Sequence, residues 1–216
     1  MKKLALLLLL FYVSAASAQR VVIKHEHYTT TFDEQLYYPV LVTWTLTASD
    51  ICAKGTPKWI DRDSEKFAQD PVLPTYTNLK KYYAGNPEKW QRGHNCDTDD
   101  NSCNAQEMKE SFYYSNMTPQ APDLNEHRWA QLEKYTRTIA ETTTVHVWCG
   151  AYGVQTNMGI VAVPKYCWKV LKYDDTEEIY VMPNDSSVME HPFTYYKDIT
   201  TIKKLRKATG LKLTGL

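Results

Sequence analysis

The sequence predicts an α+β domain, on three observations. One stretch alternates strictly between apolar and polar side chains, several further runs are rich in β-branched and aromatic residues, and only two segments carry a helical pattern. No internal repeat or low-complexity linker divides the chain, so one compact domain is the simplest organisation.

Taken in order, the alternation comes first. Val40, Val42, Trp44 and Leu46 interleave with Leu41, Thr43, Thr45 and Thr47, the period of two of a half-buried strand. Residues 56–89, dense in Pro, Asn, Asp and Tyr, read mostly as loop. Asn125–Glu141 is the clearest helix, with Trp129, Leu132, Thr136 and Ile139 on one face and Asp123 or Asn125 available to cap its start. Thr143–Ala151 and Gly159–Tyr173 predict two strands joined across Gly153–Gly159. Ile179–Met182 adds a short strand stopped by Pro183-Asn184-Asp185, and Asp198–Thr209 a second helix ended by Gly210.

The beginning of the chain predicts its compartment. Lys2 and Lys3, the apolar run Leu4–Val13 and the small-x-small site Ala16-Ser17-Ala18 form a secretory leader, so residues 1–18 stand outside the fold and the mature protein starts near Gln19. That apolar run is too short to span a bilayer, and no later segment is long and apolar enough to do so. Just under 200 residues remain, enough for one full core.

The whole chain balances 25 basic against 25 acidic residues. Removing Lys2 and Lys3 leaves 23 against 25, a formal charge of −2. Such a surface has no global basic footprint, so any binding of a polyanion rests on a local, salt-sensitive cluster. Export implies disulfides among Cys52, Cys96, Cys103, Cys149 and Cys167. Cys96 with Cys103 could close a short polar loop and Cys149 with Cys167 could pair as strand neighbours, leaving Cys52 over, but the sequence does not fix the connectivity; no Cys-x-x-Cys spacing supports a zinc site.

The chemistry-bearing residues cluster between 91 and 137. The segments are Gln91-Arg92-Gly93-His94, Ser115-Asn116-Met117-Thr118-Pro119-Gln120, and Asn125-Glu126-His127-Arg128-Trp129-Ala130-Gln131-Leu132-Glu133, with Arg137 one turn on. His94 follows a glycine that permits close approach and precedes a polar loop, which predicts an imidazole outside the core and fit for general-base work. Asn125 offers a neutral amide oxygen, suited to a hard cation that keeps most of its waters, or a plain helix cap. Glu133 and Arg137 stand four apart, an ordinary surface pair or a metal-water and phosphate pair; spacing alone does not choose.

These segments resemble the DNA/RNA non-specific endonucleases, whose signature runs Asp-Arg-Gly-His, Ser-Asn-x-x-Pro-Gln and Asn-x-x-x-Trp-x-x-Leu-Glu. The resemblance covers roughly Gln35 to Leu213; the ending Ala208-Thr209-Gly210-Leu211 is similar to the family's C-terminal Leu-Thr-Gly-Leu element. It implies a ββα-metal fold with a mainly antiparallel sheet flanked by helices and long loops. It also implies hydrolysis of DNA and RNA with little sequence preference, leaving 5′-phosphate and 3′-hydroxyl ends. By the same resemblance His94 is the base, and Asn125 holds one magnesium ion, with manganese a substitute. Arg92 and Arg137 hold the phosphoryl group, Glu133 steadies metal-bound water, and Asn116 supports the site. Gln91 replaces the family's Asp, removing a negative charge beside Arg92 and His94. The family's further upstream cation, shortly before an Asp-Pro pair, corresponds here to Lys66 or Arg62 ahead of Asp70-Pro71.

Other motifs carry less. Asp97, Asp99 and Asn101 begin like an EF-hand loop, but Ser102 and Met108 break it. His25-Glu26-His27 reads as a solvated lead-in, and Lys203, Lys204, Arg206 and Lys207 as a basic helix face. Asn116-Met117-Thr118 and Asn184-Asp185-Ser186 fit a glycosylation pattern; the first lies inside the site motif. Two rivals stand beside the nuclease: a secreted binding protein on an inactive nuclease scaffold, and a phosphoesterase acting on small nucleotides. Oligomeric state, a homodimer included, and any inhibitor stay open.

Overall fold

The computed structural model describes residues 19–73 and 78–216; the expected leader lies outside the described residues. Eight strands and four α-helices make up the regular structure among them. Six strands form one antiparallel sheet in the order β1-β2-β3-β6-β7-β8. They are β1 Arg20–Lys24, β2 Tyr28–Asp33, β3 Tyr38–Leu46, β6 Val145–Met158, β7 Val161–Tyr173 and β8 Thr176–Pro183. A separate ribbon pairs β4 Gln91–His94 with β5 Met117–Gln120. The helices are α1 Lys80–Ala84, α2 Ala105–Ser111, α3 Ala130–Ala140 and α4 Ile202–Thr209.

The expected alternation holds in β3, where Val40, Val42, Trp44 and Leu46 are buried and Leu41, Thr43 and Thr45 are not. The large hairpin differs from expectation. Residues 153–158 continue β6 through an irregularity at Val154–Thr156, and the turn is Gly159-Ile160, with Gly159 at φ +63°. β1 and β2 were not expected at all. His25 and His27 therefore do not lead in through solvent: His25 Nε2 lies 3.2 Å from Asp70 Oδ2, and His27 binds Asn101 Oδ1 and the Thr45 carbonyl, each at 2.8 Å. In β7, Cys167–Leu171 is buried residue after residue, as expected of a strand covered on both faces.

Two apolar clusters result. The larger joins β3, β6, β7 and β8 to Leu124, Trp129 and Leu132 and to Leu205, Leu211 and Leu213 near the C-terminus. The smaller gathers Ile23, Phe32, Leu79, Tyr83, Tyr114, Met117 and Val161 around the ribbon. The expected helix 198–209 begins later: Thr201 caps α4 by accepting from the Lys204 amide, while Asp198 instead binds the Ile179 backbone. Gly210 closes α4 at φ +67° as expected. On its basic face Arg206 is turned onto the Leu213 and Leu216 carbonyls, while Lys203, Lys204 and Lys207 are exposed.

The cysteine pairing also corrects the expectation. Cys52 bonds Cys103 across a sequence separation of 51, with Cα atoms 5.2 Å apart, while Cys96, Cys149 and Cys167 are buried thiols. Register is the reason: Cys149 faces Lys169, and Cys167 faces Ala151, two positions away. Cys96 accepts a 3.4 Å hydrogen bond from Asn101 instead. Neither glycosylation pattern is available, because Asn116 and Asn184 are both fully buried. Asn184 ties Ala121 and Pro119 to Pro164 by three hydrogen bonds of 2.8 to 2.9 Å.

Gly150 marks the tightest packing in β6. A Cβ there would meet the Val40 carbonyl oxygen at 2.2 Å and the Trp168 ring at 2.9 Å. Gly150→Ala is therefore expected to lower unfolding free energy by about 2 kcal/mol, the scale of an overpacked core. Urea denaturation of both forms measures this, and an unchanged midpoint would rule out the close contact.

Candidate active site

The ribbon sets the first part of the site. Antiparallel pairing of Gln91 with Gln120, Arg92 with Pro119, Gly93 with Thr118 and His94 with Met117 puts Arg92 and His94 on one face. Gly93 is required here, since a Cβ would lie 2.1 Å from the Gln120 side chain. Phe67 packs against that face: its ring lies 4.3 Å from the Arg92 guanidinium and 5.5 Å from the His94 ring. Arg92, His94, Gln91 and Asn125 line one cleft of about 290 Å³, together with Arg62, Phe67, Tyr83 and Trp90.

His94 departs from expectation, because its side chain is almost wholly buried, edge-on to Phe112 as well as beside Phe67. The polar loop that follows it is itself interior: Asn95, Cys96, Asp97, Thr98, Asp100 and Asn101 are all buried. Polar composition signalled solvent, but these groups are satisfied from within. Asn116 is the hub; its Oδ1 accepts from the Cys96 amide at 3.0 Å and its Nδ2 donates to the Cys96 and Ser111 carbonyls. Asn116 thus holds the backbone of the loop that follows His94. Burial drives the His94 pKa down to about 4, with Arg62 and Arg92 adding to the shift and Asp97 opposing it. The imidazole is neutral at ordinary pH, and its Nε2 has no hydrogen-bond partner among the described residues.

Asn125 lies in a π-helical turn, Leu124–Trp129, that leads directly into α3. It is thus inside the first turn and is not the cap; Asp123 occupies the cap position without a side-chain hydrogen bond. The Asn125 Nδ2 donates to Gln91 Oε1 at 2.7 Å, and Gln91 in turn donates to Glu126. Gln91 therefore acts on Asn125, fixing which end of the amide is engaged and leaving the Asn125 oxygen for another partner. Trp129, four residues on, donates to the His94 carbonyl at 3.2 Å and locks the turn to the ribbon.

Arg137 stands apart from this cleft. It pairs with Asp97 and reaches Asp99 and Asp100, each at 3.4 Å. The segment that resembled a calcium loop thus has an arginine, not a cation site, drawn onto its carboxylates. Despite burial, Arg137 with His94 and Lys169 holds Asp97 below the usual carboxylate range, whereas burial and Asp97 push Asp100 up to about 6. Glu133 is desolvated and faces Asp97, so its carboxyl lies well above the usual range, with Lys169 and Arg137 opposing. Lys169 was not anticipated. It is buried in β7, its ammonium 4.9 Å from the Trp129 ring and 5.4 Å from the Trp44 ring. A lysine inside the apolar run Cys167–Leu171 was the available signal. Of the two upstream cations, Arg62 lines the cleft.

The donor set fits a magnesium-like ion. Among the described residues no three His, Cys, Asp or Glu side chains converge as a metal cage. Asn125 offers a single amide oxygen beside an open polar cleft, the arrangement of an ion that keeps several waters.

Comparisons with known proteins bear on the family and the fold. The family described as DNA/RNA non-specific endonuclease matches residues 9–214. The chain is 30% identical over 195 residues to Nuclease C1 of Cunninghamella echinulata var. echinulata, covering 79% of this chain and 75% of that protein. It is 28% identical to the mitochondrial Nuclease EXOG of Homo sapiens, spanning 74% of this chain but only 52% of that protein. A chain of the crystal structure of the EndoG/EndoGI complex superposes with a TM-score of 0.76 at 24% identity, covering 88% of this chain and 84% of that one, and so shares its antiparallel sheet and ββα architecture. On the family match and the Nuclease C1 relationship, this chain belongs to the DNA/RNA non-specific endonuclease family.

Proposed function

We propose that this chain is an exported endonuclease that hydrolyses DNA and RNA with little sequence preference, using a neutral His94 as base and one magnesium ion at Asn125. The observation that carries the reading is the unpartnered, buried His94 Nε2 in the same cleft as Arg92 and Asn125. A base must be deprotonated to work, and burial keeps His94 so. His94 would take a proton from the attacking water. Arg92 and Arg62 would offset charge on the phosphoryl oxygens. Asn125 would hold the metal, which when bound offsets phosphoryl charge and assists the leaving oxygen. Gln91 would keep the Asn125 amide in position. Arg137, committed to three carboxylates, would hold the loop behind His94 and reach the phosphate only by loosening from them. Glu133 would serve the metal's water, with burial and then Asp97 raising its carboxyl well above the usual range and Lys169 and Arg137 opposing.

The leader sequence supports export, and the Cys52–Cys103 disulfide fits an oxidising compartment. A plasmid-nicking assay with magnesium, with and without EDTA, separates an endonuclease from a binding protein and from a phosphoesterase of small nucleotides. Intact circular DNA after prolonged incubation with magnesium would exclude the proposal.

His94→Ala is expected to lower turnover by about two to four orders of magnitude, the range of a general base, while nucleic-acid binding persists. Near wild-type turnover in the purified variant would remove His94 from the chemistry. Asn125→Ala is expected to raise the magnesium concentration needed for half-maximal rate by about a hundredfold, and Gln91→Leu by about tenfold, since partners of a ligand typically matter at that scale. A magnesium titration that matches wild type in Asn125→Ala contradicts the ligand assignment.

The pH profile tests the electrostatics. The His94 pKa is depressed, so its base form persists as pH falls until about 4. The acid limb of kcat/KM, which reports the free enzyme, is expected well below the ordinary histidine value. A carboxylate at 91 would favour the protonated imidazole, so Gln91→Asp should move that limb to higher pH. A limb that stays in place assigns residue 91 wholly to Asn125.

A further inference from the structure

The cleft does not end at His94. Arg62 lines it and also lines an adjoining cavity of about 360 Å³, whose walls include Lys54, Trp59, Asp99 and Arg137. Trp59 is half-buried yet belongs to neither apolar cluster. An indole held against the protein without a core to serve has a surface left for something else.

Its backbone is anchored. The Trp59 amide donates to the Thr56 carbonyl at 3.0 Å, and the neighbouring Ile60 amide to the Ser102 carbonyl at 2.8 Å. The Cys52 amide donates to Ser102 Oγ at 2.9 Å, and Cys52 is bonded to Cys103. The loop that carries Trp59 is thus fastened to the segment that follows His94. A stacking surface fixed to the catalytic segment keeps its distance from the reacting atoms.

The charges of this cavity indicate what it takes. Lys54, Arg62 and Arg137 are matched by Asp61, Asp63 and Asp99, so the lining has no net charge for a phosphate. Flat aromatic surface without net charge suits a base. The Lys54 ammonium, 5.6 Å from the Trp59 ring on an exposed, flexible side chain, is the group that an incoming base would displace.

We propose that Trp59 is a stacking platform for a nucleobase flanking the scissile phosphate, a subsite that the Cys52–Cys103 disulfide holds beside the cleft. The proposal rests on the nuclease reading above. It makes the chain grip single-stranded substrate on two sides of Arg62: phosphate on the His94 side, base on the Trp59 side. Stacking accepts any base, which accords with little sequence preference.

The test is equilibrium binding of a twelve-nucleotide single-stranded DNA in EDTA, so that nothing is cleaved. Trp59→Ala is expected to weaken binding about tenfold, within the range of one lost base stack, and Trp59→Phe to retain most of the affinity. The fold difference should persist as salt is raised, because stacking releases no counterions. It should shrink on an oligonucleotide of the same length made of abasic sites. Equal affinities of wild type and Trp59→Ala, or a loss of the same size on the abasic strand, would overturn the subsite. Plasmid nicking by wild type with magnesium is scored separately. Trp59-dependent binding without nicking sinks the nuclease reading, and with it the scissile phosphate, but keeps Trp59 as a base-stacking residue; nicking without Trp59 dependence keeps the nuclease and removes the subsite; neither binding nor nicking removes both.

Discussion

The site depends on a polar loop held inside the protein. Residues 95–101 carry two carboxylates, Asp97 and Asp100, and two amides, Asn95 and Asn101, into the interior, where each lost hydrogen bond to water must be replaced. Arg137 and Asn116 supply the replacements from opposite directions: one side chain answers the charges, the other the backbone. Because α3 carries Arg137 and the π-helical turn leading into it carries Asn125, the same helical segment holds the loop behind the base and presents the candidate metal ligand in front of it. Asn116 extends the arrangement to β5, whose pairing with β4 aims Arg92 and His94.

This arrangement also explains how a protein with no excess of basic residues can handle a polyanion. Two of its cations are gathered at one place. Arg62 and Arg92 converge on one cleft, while Asp97 is paired with Arg137. Local potential in a confined, partly desolvated cleft counts for more than net charge summed over the chain. Burial of His94 acts in the same sense, since a neutral imidazole can accept a proton where a charged one cannot.

Much of this was legible in the sequence where local pattern and burial coincide. β3 alternated as its burial does, the helix through Trp129, Leu132 and Thr136 declared its face, and the segments from Gln91 to Arg137 contained four of the residues that line the cleft, Gln91, Arg92, His94 and Asn125, while Asn116, Glu133 and Arg137 lie outside it. What was illegible depended on long-range contacts. β1 and β2 are paired at one side of the sheet, and short Thr-rich strands such as Thr29-Thr30-Thr31 reveal themselves only through a partner. His94 and its loop looked exposed because composition reports polarity and not whether a partner is waiting. Arg137 looked like a neighbour of Glu133 by spacing, whereas its partners lie about forty positions earlier, on the 97–100 segment. Lys169 could have been suspected from its apolar surroundings, but its proximity to the Asp97 group is a property of the fold alone.

The three buried thiols have a consequence for how the chain reaches this state. In a strand pair, a slip of two residues leaves every side chain on its proper face, so the hydrophobic pattern of β6 and β7 opposes it only weakly. Such a slip would bring Cys149 opposite Cys167, which in the native register miss one another by that same two-residue offset. An oxidant that arrived before the hairpin had settled would weld the wrong register shut and displace Lys169 from its place between the two tryptophans. Under oxidising conditions, the native register is kept only if the sheet closes before these thiols are oxidised. Burial of Cys149 and Cys167 is then what ends the race, leaving Cys52 and Cys103 as the pair that can still meet.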